Sequence, residues 1–355
     1  MVRLRRSHPD RPGLTRRRRG RGWEYRYSDG RQVVEPDLLD RINALVIPPA
    51  WQQVWISPWP NGHIQATGMD SAGRKQYLYH AEWSTRRHTQ KFERVVDFGA
   101  ALPRARKVVA AHLGDRDFTR NRVLATAFRL LDRGHFRIGG EIYAETNGSF
   151  GLATLRREHV RRERRELVFD YTAKSGLHRV ERIGDPELLE AVGGLLRRRG
   201  DIEIPELLAY RVDRSWHRLT TSDINAYLKE VTRQNISAKD FRTWHGTTMA
   251  AVALSSAPLE LKSQAAFARA ERQAVVAVSE QLGNTPTVCR ASYIDPRIID
   301  AFERNHRIGK AVDAAKRSLG DRLPEVTDER SAGTALTMLA AAPAVERAVL
   351  ELLRS

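Results

Sequence analysis

The sequence has very little cysteine: Cys289 is the single thiol among 355 residues. One thiol excludes an intrachain disulfide and a thiolate-rich metal site, and it is typical of a reducing compartment. No stretch approaches the ~18 consecutive apolar residues of a membrane-spanning helix. The arginines near the N-terminus are not followed by an apolar segment, so we expect no secretory signal. These absences predict a cytoplasmic protein with no membrane partner.

Two kinds of motif are missing as well. No segment matches the phosphate-binding pattern G-x-x-x-x-G-K-[ST], so the sequence gives no support for ATP use. The 11 histidines show neither an HExxH motif nor another ligand spacing, which gives no support for a metal site. We therefore expect the protein to work without a metal or a small-molecule cofactor.

Lysine is scarce and arginine is abundant. Of the 60 basic residues only nine are lysines, and the formal net charge is +17. Arginine is always charged and binds phosphate through two parallel hydrogen bonds, so a polyanion is the expected partner. The alternative is a GC-rich genome, which enriches arginine codons without any function. Charge alone favours a nucleic acid.

The arginines are densest at the start of the chain. Residues 1–22 contain nine arginines and one aspartate, with almost no apolar residues. This composition predicts a disordered arm. The arm could lie along DNA without sequence preference, or it could be a solvated tail.

Residues 23–90 have the pattern of a β-rich domain that binds DNA. The run from Trp23 to Val34 alternates and contains an Asp-Gly turn, which predicts a hairpin. Three short strand-like runs follow between residues 54 and 80. The last run mixes basic, amide and aromatic side chains that suit phosphates and base edges: Arg74, Gln76, Tyr77 and Tyr79. On the residues alone, an amphipathic edge strand with Tyr77 and Tyr79 on one face is the favoured interpretation.

Residues 91–355 have mainly helical patterns. Three runs interrupt them, at 150–155, 167–174 and 178–183, and predict a small three-stranded antiparallel sheet. The basic run between the first two is expected to be a loop or a helix end. Lys174 falls in the turn between the last two strands, beside Ser175 and Gly176. The fold class is therefore α+β, with a mainly β N-terminal lobe and a mainly α catalytic lobe that carries this sheet.

The segment LGNTPTVCRASY, residues 282–293, ends in a tyrosine. Three basic residues in distinctive settings precede it: Arg137 in HFRIGGE, Lys174 in TAKSG and Arg242 in KDFRTWHG. A tyrosine that attacks a phosphodiester needs fixed cations for the charge on the phosphate oxygens and an acid for the leaving oxygen. Tyr293, the two arginines and Lys174 meet these demands, and Asn284 could donate a further hydrogen bond. Singly, each has a plainer interpretation as a surface charge, a core tyrosine or a turn residue.

These segments resemble the type IB DNA topoisomerases, specifically the compact poxvirus-like form found in bacteria. The resemblance runs from about residue 38 to 302 and is carried by IPPAW, GRKQYLY, FRIG, LRREHV, YTAKSG, KDFRT and LGNTP…SY. It implies that Tyr293 is the nucleophile, that Arg137 and Arg242 stabilise the transition state, and that Lys174 is the general acid, assisted by Lys239. It also implies DNA contacts at Gln76, Tyr77, Tyr79 and Tyr143. Many relatives have histidine where this chain has Asn284, which can donate to phosphate but cannot be charged.

The resemblance implies an enzyme that relaxes supercoiled double-stranded DNA without ATP. One strand is nicked through a 3′-phosphotyrosyl intermediate, rotates and is religated. A monomer associated with the nucleoid is expected. A tyrosine recombinase is one alternative, although recombinases place histidine where this chain has Lys239. A basic DNA-binding protein without catalysis is the other.

Overall fold

The computed structural model describes residues 2–199, 204–258 and 263–355. The chain divides into two compact units, Met1–Phe92 and Glu93–Ser355. No helix in the described ranges is long and apolar enough to cross a membrane.

The first unit is built on a five-stranded antiparallel sheet with the strand order β2-β1-β3-β4-β5. Its elements are β1 (Leu14–Arg19), β2 (Gly22–Arg26), α1 (Pro36–Ala44), β3 (Gln52–Ile56), β4 (Ile64–Met69) and β5 (Lys75–Tyr79). A small apolar core between the sheet and α1 includes Leu14, Ile42, Ile56 and Ala66, each at most 1% exposed. The sheet presents β5 as an edge strand.

The prediction of a disordered arm is wrong for Leu14–Arg19, which form β1. Arg16 explains why a run of four arginines can enter a sheet. Its guanidinium donates to the carbonyl oxygens of Ile47, Pro48 and Trp51 at 3.0, 2.9 and 2.8 Å. It also lies over the Trp23 ring at 4.0 Å. The long side chain of Arg16 can thus pack against the protein, although its charge alone would suggest that it is fully solvated.

The second unit is mainly helical. Helix α2 (Ala81–Leu113) begins in the first unit and continues into the second. The other helices are α3 (Arg120–Gly134), α4 (Glu141–Asn147), α5 (Pro186–Arg197), α6 (Thr221–Thr232), α7 (Ala238–Ser255), α8 (Gln264–Leu282), α9 (Pro286–Tyr293), α10 (Pro296–Glu303), α11 (Gly309–Leu319), α12 (Glu329–Ala340) and α13 (Pro343–Arg354). Helix α7 is buried along most of its length. It is therefore the central element around which the other helices pack.

Two small sheets complete the second unit. β6 (Val160–Glu163), β7 (Glu166–Thr172) and β8 (His178–Ile183) form a three-stranded antiparallel sheet, and β9 (Ala209–Val212) and β10 (Ser215–Arg218) form a hairpin. The α+β fold class is confirmed.

The first strand of the three-stranded sheet was predicted at residues 150–155 and lies instead at β6, in the basic run expected to be a loop. Residues 152–154 form a buried turn of 3₁₀ helix. The arginine-rich strand is stable at the sheet edge because its charges are paired. Arg161 donates to Glu163 at 2.8 Å and to Asp170 at 3.2 Å. One pair of opposite charges within β6 and one across to β7 therefore replace the apolar alternation that the prediction relied on.

Candidate active site

Tyr293 is the last residue of α9, a short helix with a defined start. The Thr285 hydroxyl caps its first turn by accepting from the Val288 amide at 3.4 Å, and Pro286 occupies the first helical position. The carbonyl of Tyr293 accepts from the Thr247 hydroxyl at 3.4 Å, and that hydroxyl accepts from the Asp295 amide at 3.1 Å. Helix α9 is thus fixed at both ends, with Tyr293 held against α7.

Arg242 lies in the interior of α7 and is 3% exposed. It donates to the carbonyl oxygens of His135 and Leu282 at 2.5 and 2.6 Å. Its Cζ atom is 5.1 Å from the centre of the Tyr293 ring. Burial, and then the charge of Arg137, lower the pKa of Arg242 to about 10. The guanidinium is therefore still charged near neutral pH and is fixed beside the phenol.

Arg137 follows α3 and binds the loop between α8 and α9. Its Nη2 atom donates to the Gly283 carbonyl and to Asn284 Oδ1, both at 2.6 Å. Burial lowers the pKa of Arg137. Because Asn284 Oδ1 already accepts from Arg137, the side-chain nitrogen Nδ2 of Asn284 is the atom that can donate to a further acceptor. That Nδ2 atom is buried and has no hydrogen-bond partner within the described ranges.

Arg179 on β8 is a site residue that the sequence analysis missed. It donates to the Glu280 and Gln281 carbonyls at 3.2 and 2.9 Å and also pairs with Glu181. Arg137, Arg179 and Arg242 together bind four consecutive carbonyls at the end of α8. Those carbonyls carry the negative end of the helix dipole. The alternating charges of HRVERI were the available signal, but an edge strand with solvated charges explained them equally well.

Lys174 and Lys239 lie outside this cluster. Lys174 begins the tight turn between β7 and β8, where Ser175 has a φ of 66°. Lys239 lies in the first turn of α7. Both side chains are exposed. The cluster of Arg137, Arg242, Asn284 and Tyr293 is therefore assembled around buried contacts, while the two lysines remain at the surface.

The expected DNA-contact residues of the first unit lie on or next to β5. Tyr77 and Tyr79 are 41% and 46% exposed, and their rings are stacked with centroids 6.0 Å apart. Asp70 accepts from Arg74 Nε at 2.9 Å and from Gln76 Nε2 at 2.8 Å. Hydrogen bonds led by the Arg74 backbone amide lower the pKa of Asp70 to about 2. The strand thus presents an ordered polar and aromatic surface.

Tyr143 belongs to α4, and its side chain lies outside the described part of the structure. The described residues contain no group of three or more His, Cys, Asp or Glu side chains that could hold a metal ion.

The half-buried Tyr293 and the arginines beside it lie on a helical unit that follows a β-rich unit, and the sequences of both units match known families. Residues 80–319 match the family described as eukaryotic DNA topoisomerase I, catalytic core, and residues 22–70 match the family described as bacterial DNA topoisomerase IB, N-terminal domain. The chain belongs to the type IB DNA topoisomerases, enzymes that change DNA topology.

Among individual proteins, the chain is similar to a DNA topoisomerase 1B from Acanthamoeba polyphaga mimivirus. The two are 28% identical over 297 residues, which cover 82% of this chain and 88% of the viral protein. The similarity therefore extends over both units and is not limited to one motif.

Proposed function

We propose that this protein relaxes supercoiled duplex DNA by cutting one strand with Tyr293, allowing that strand to rotate, and resealing it without ATP or a metal. The contact between Arg242 and Tyr293 carries this proposal. A buried, charged guanidinium lies with its Cζ atom 5.1 Å from the centre of the phenol ring. Arginine fixed beside a nucleophile is suited to the charge that gathers on a phosphate under attack.

In the forward step Tyr293 Oη forms a bond to phosphorus and the bond from phosphorus to the 5′-oxygen breaks. The phenolic proton leaves to solvent, and the 5′-oxygen takes up a proton. The products are a 3′-phosphotyrosyl linkage and a free 5′-hydroxyl. Attack by that hydroxyl reverses each change, so the bond energy is retained and no nucleotide is consumed. Relaxation of both supercoil signs follows because free rotation has no preferred direction.

Arg137, Arg242 and Asn284 stabilise the phosphate oxygens in this scheme. Arg242 Nε and Asn284 Nδ2 are buried donors without a partner among the described residues. An unpaired buried donor is costly, and a phosphate oxygen would satisfy it. Asn284 contributes a neutral hydrogen bond, so its contribution should be smaller than that of a charged donor.

Lys174 donates the proton to the 5′-oxygen, with Lys239 in an assisting role. Both side chains are exposed and therefore accessible to a bound duplex. The tight turn at Ser175 holds Lys174 at the tip of the β7–β8 hairpin, where it can enter a groove. The duplex is bound by the Tyr143 helix, by Arg74 and Gln76, and by the Tyr77 and Tyr79 rings on β5. The enzyme acts as a monomer on nucleoid DNA in the cytoplasm.

Plasmid relaxation in EDTA without ATP, combined with a denaturing gel for protein–DNA adducts, tests the proposal. Wild-type protein should relax plasmids of both supercoil signs and form an adduct at the 3′ end of the cut strand. Tyr293→Phe removes only the hydroxyl and keeps the ring that packs on Arg242. This variant should bind duplex DNA normally and neither relax it nor form the adduct.

Each alternative has its own result. Duplex binding by the wild type without relaxation or adduct would make the chain a DNA-binding protein without catalysis. Strand exchange between two specific duplexes, without general relaxation, would make it a recombinase. Relaxation by Tyr293→Phe would show that another residue is the nucleophile.

A further inference from the structure

The last helix, α13, inserts a carboxylate into the interior of the second unit. Glu346 is 4% exposed. Its carboxylate accepts from Arg106 Nη1 and Nη2 at 2.6 and 2.8 Å, and from the Trp244 indole nitrogen at 3.2 Å. A carboxylate is rarely buried unless it is paired. Residues 343–354 also lie beyond the family match, which ends at residue 319.

Arg106 connects this carboxylate to α3. It donates to both oxygens of Asp132 at 2.9 Å, and Asp132 is 1% exposed. Burial opposes ionisation of Asp132, but the charge of Arg106 outweighs it and holds the pKa of this carboxyl well below its usual range. Arg106 is thus clamped between two carboxylates on two helices, α3 and α13.

The C-terminal end of α3, where Asp132 pairs with Arg106, contacts the candidate active site directly. His135 follows α3 with a φ of 51°, and its carbonyl accepts from Arg242 at 2.5 Å. The His135 ring lies 4.8 Å from the ring of His245, whose Nε2 atom is 3.5 Å from Asp132. The position of the His135 carbonyl therefore depends on Asp132, three residues earlier.

A second connection runs along α7. Trp244 is two residues after Arg242 and is completely buried, with α2 packed against it at Gly99. The bond from its indole to Glu346 fixes this part of α7 against α13. Glu346 therefore acts on the Arg242 region from two sides: through Arg106 and Asp132 to the His135 carbonyl, and through Trp244 along α7.

We propose that Glu346 is a positioning residue for strand cleavage, which holds Arg242 against Tyr293 through Arg106 and Trp244. The role rests on the proposed function of Tyr293 and Arg242. Glu346 itself does not touch the reacting atoms. Its loss should slow the chemical step without weakening DNA binding, because misplacement of a catalytic group by less than 1 Å is costly.

Glu346→Gln tests this role in the full-length protein. The amide keeps the shape but puts an NH₂ group where both carboxylate oxygens accept hydrogen bonds. We expect the single-turnover rate constant for cleavage of a duplex oligonucleotide to fall about 10- to 100-fold. The rate constant is taken from the adduct formed at each time as a fraction of the adduct formed at completion. The duplex Kd should change less than about twofold. Glu351→Gln, at an exposed position of the same helix, is the matched control and should cleave at the wild-type rate.

A double-mutant comparison separates positioning from a general loss of stability. In an Arg242→Ala background, Glu346→Gln should cause no further loss of cleavage rate, because its effect passes through the arginine that is already absent. If Glu346→Gln lowers the cleavage rate of the Arg242→Ala variant by the same factor by which it lowers the wild-type rate, the proposal is overturned. If Glu346→Gln does not fold, Glu346→Asp keeps the charge on a shorter side chain. It should cleave more slowly than wild type, and this defect should also disappear in the Arg242→Ala background.

The outcomes distinguish this inference from the proposed function. If wild-type protein forms no adduct through Tyr293, the proposed function fails and the positioning role fails with it. If the wild type forms the adduct and Glu346→Gln cleaves at the same rate, only the positioning role is overturned.

Discussion

Gly246 on α7, the helix of Arg242, lies directly against the residue proposed as nucleophile. A Cβ atom at this position would lie 2.5 Å from the Tyr293 carbonyl oxygen and 3.2 Å from the Tyr293 Cβ atom. The atom in the way belongs to the backbone, so a side-chain rotation cannot relieve the clash. Gly246→Ala should therefore move the end of α9 that carries the phenol.

The size of the effect follows from the distance. Carbon–oxygen contacts are ordinarily at least ~3.3 Å long, so α7 and α9 must separate by about 0.8 Å. A displacement near 1 Å at a reacting group costs about 100-fold in rate. We expect Gly246→Ala to slow cleavage about 50-fold, or about 2 kcal/mol in the barrier. The free energy of unfolding should fall by no more than about 2 kcal/mol, because alanine favours the helix by about 1 kcal/mol and overpacking costs about 1–3 kcal/mol.

Single-turnover cleavage of a duplex oligonucleotide measures this prediction, with duplex affinity and thermal unfolding recorded in parallel. Gly193→Ala is the matched control, because Gly193 also lies inside a helix. Its added Cβ would meet only the end of the Arg197 side chain, at 3.4 Å. Cleavage by Gly246→Ala at the control rate would refute the idea that this contact fixes Tyr293. A loss confined to DNA affinity would refute it as well.

Three further outcomes are expected. Arg16→Ala leaves three carbonyls without their donor. It should lower the free energy of unfolding of the first unit by about 2–3 kcal/mol, measured in urea. Arg17→Ala, at an exposed position of the same strand, should change that free energy by less than ~0.5 kcal/mol. Arg179→Met uncaps the end of α8 and should slow cleavage about 10-fold, while Arg182→Met, whose side chain pairs at the surface, should leave the rate unchanged. Burial raises the pKa of Cys289 to about 11, so a maleimide at pH 8 should label the native protein at least ~100-fold more slowly than the urea-unfolded protein. Rapid native labelling would contradict the packing of α9.

The sequence predicted the local setting of the proposed site residues better than it predicted the contacts between them. Local motifs placed Lys174 in a turn, Arg242 on a helix and Tyr293 after a helix break, because capping and turn residues act over a few positions. The helix α9 itself was missed, although Thr285 before Pro286 is a standard helix start. The bonds from Arg137 to Asn284 and from Arg242 to His135 join residues more than 100 positions apart. No local pattern contains them.

Charged residues account for the other differences between expectation and structure. Arg16 lies in a run of four arginines, a composition that is typical of a solvated surface. The burial of Arg16, like that of Arg106 and Glu346, depends on partners elsewhere in the chain, which supply carbonyl oxygens or opposite charges. Composition could therefore predict the basic character of the protein, but not which charges lie inside it.

The arginines at the end of α8 have a consequence for how the site opens. Arg137 and Arg242 bind the carbonyls of Gly283 and Leu282, in the same short segment that leads to Tyr293. Fluctuations that release this segment must also release both guanidinium groups, so the loop that leads to Tyr293 and the two arginines form one cooperative unit of local unfolding. Hydrogen exchange of the Gly283 and Asn284 amides then reports the lifetime of the whole assembled site. A duplex that binds the two arginines should slow this exchange even if it makes no contact with the loop that contains Gly283 and Asn284.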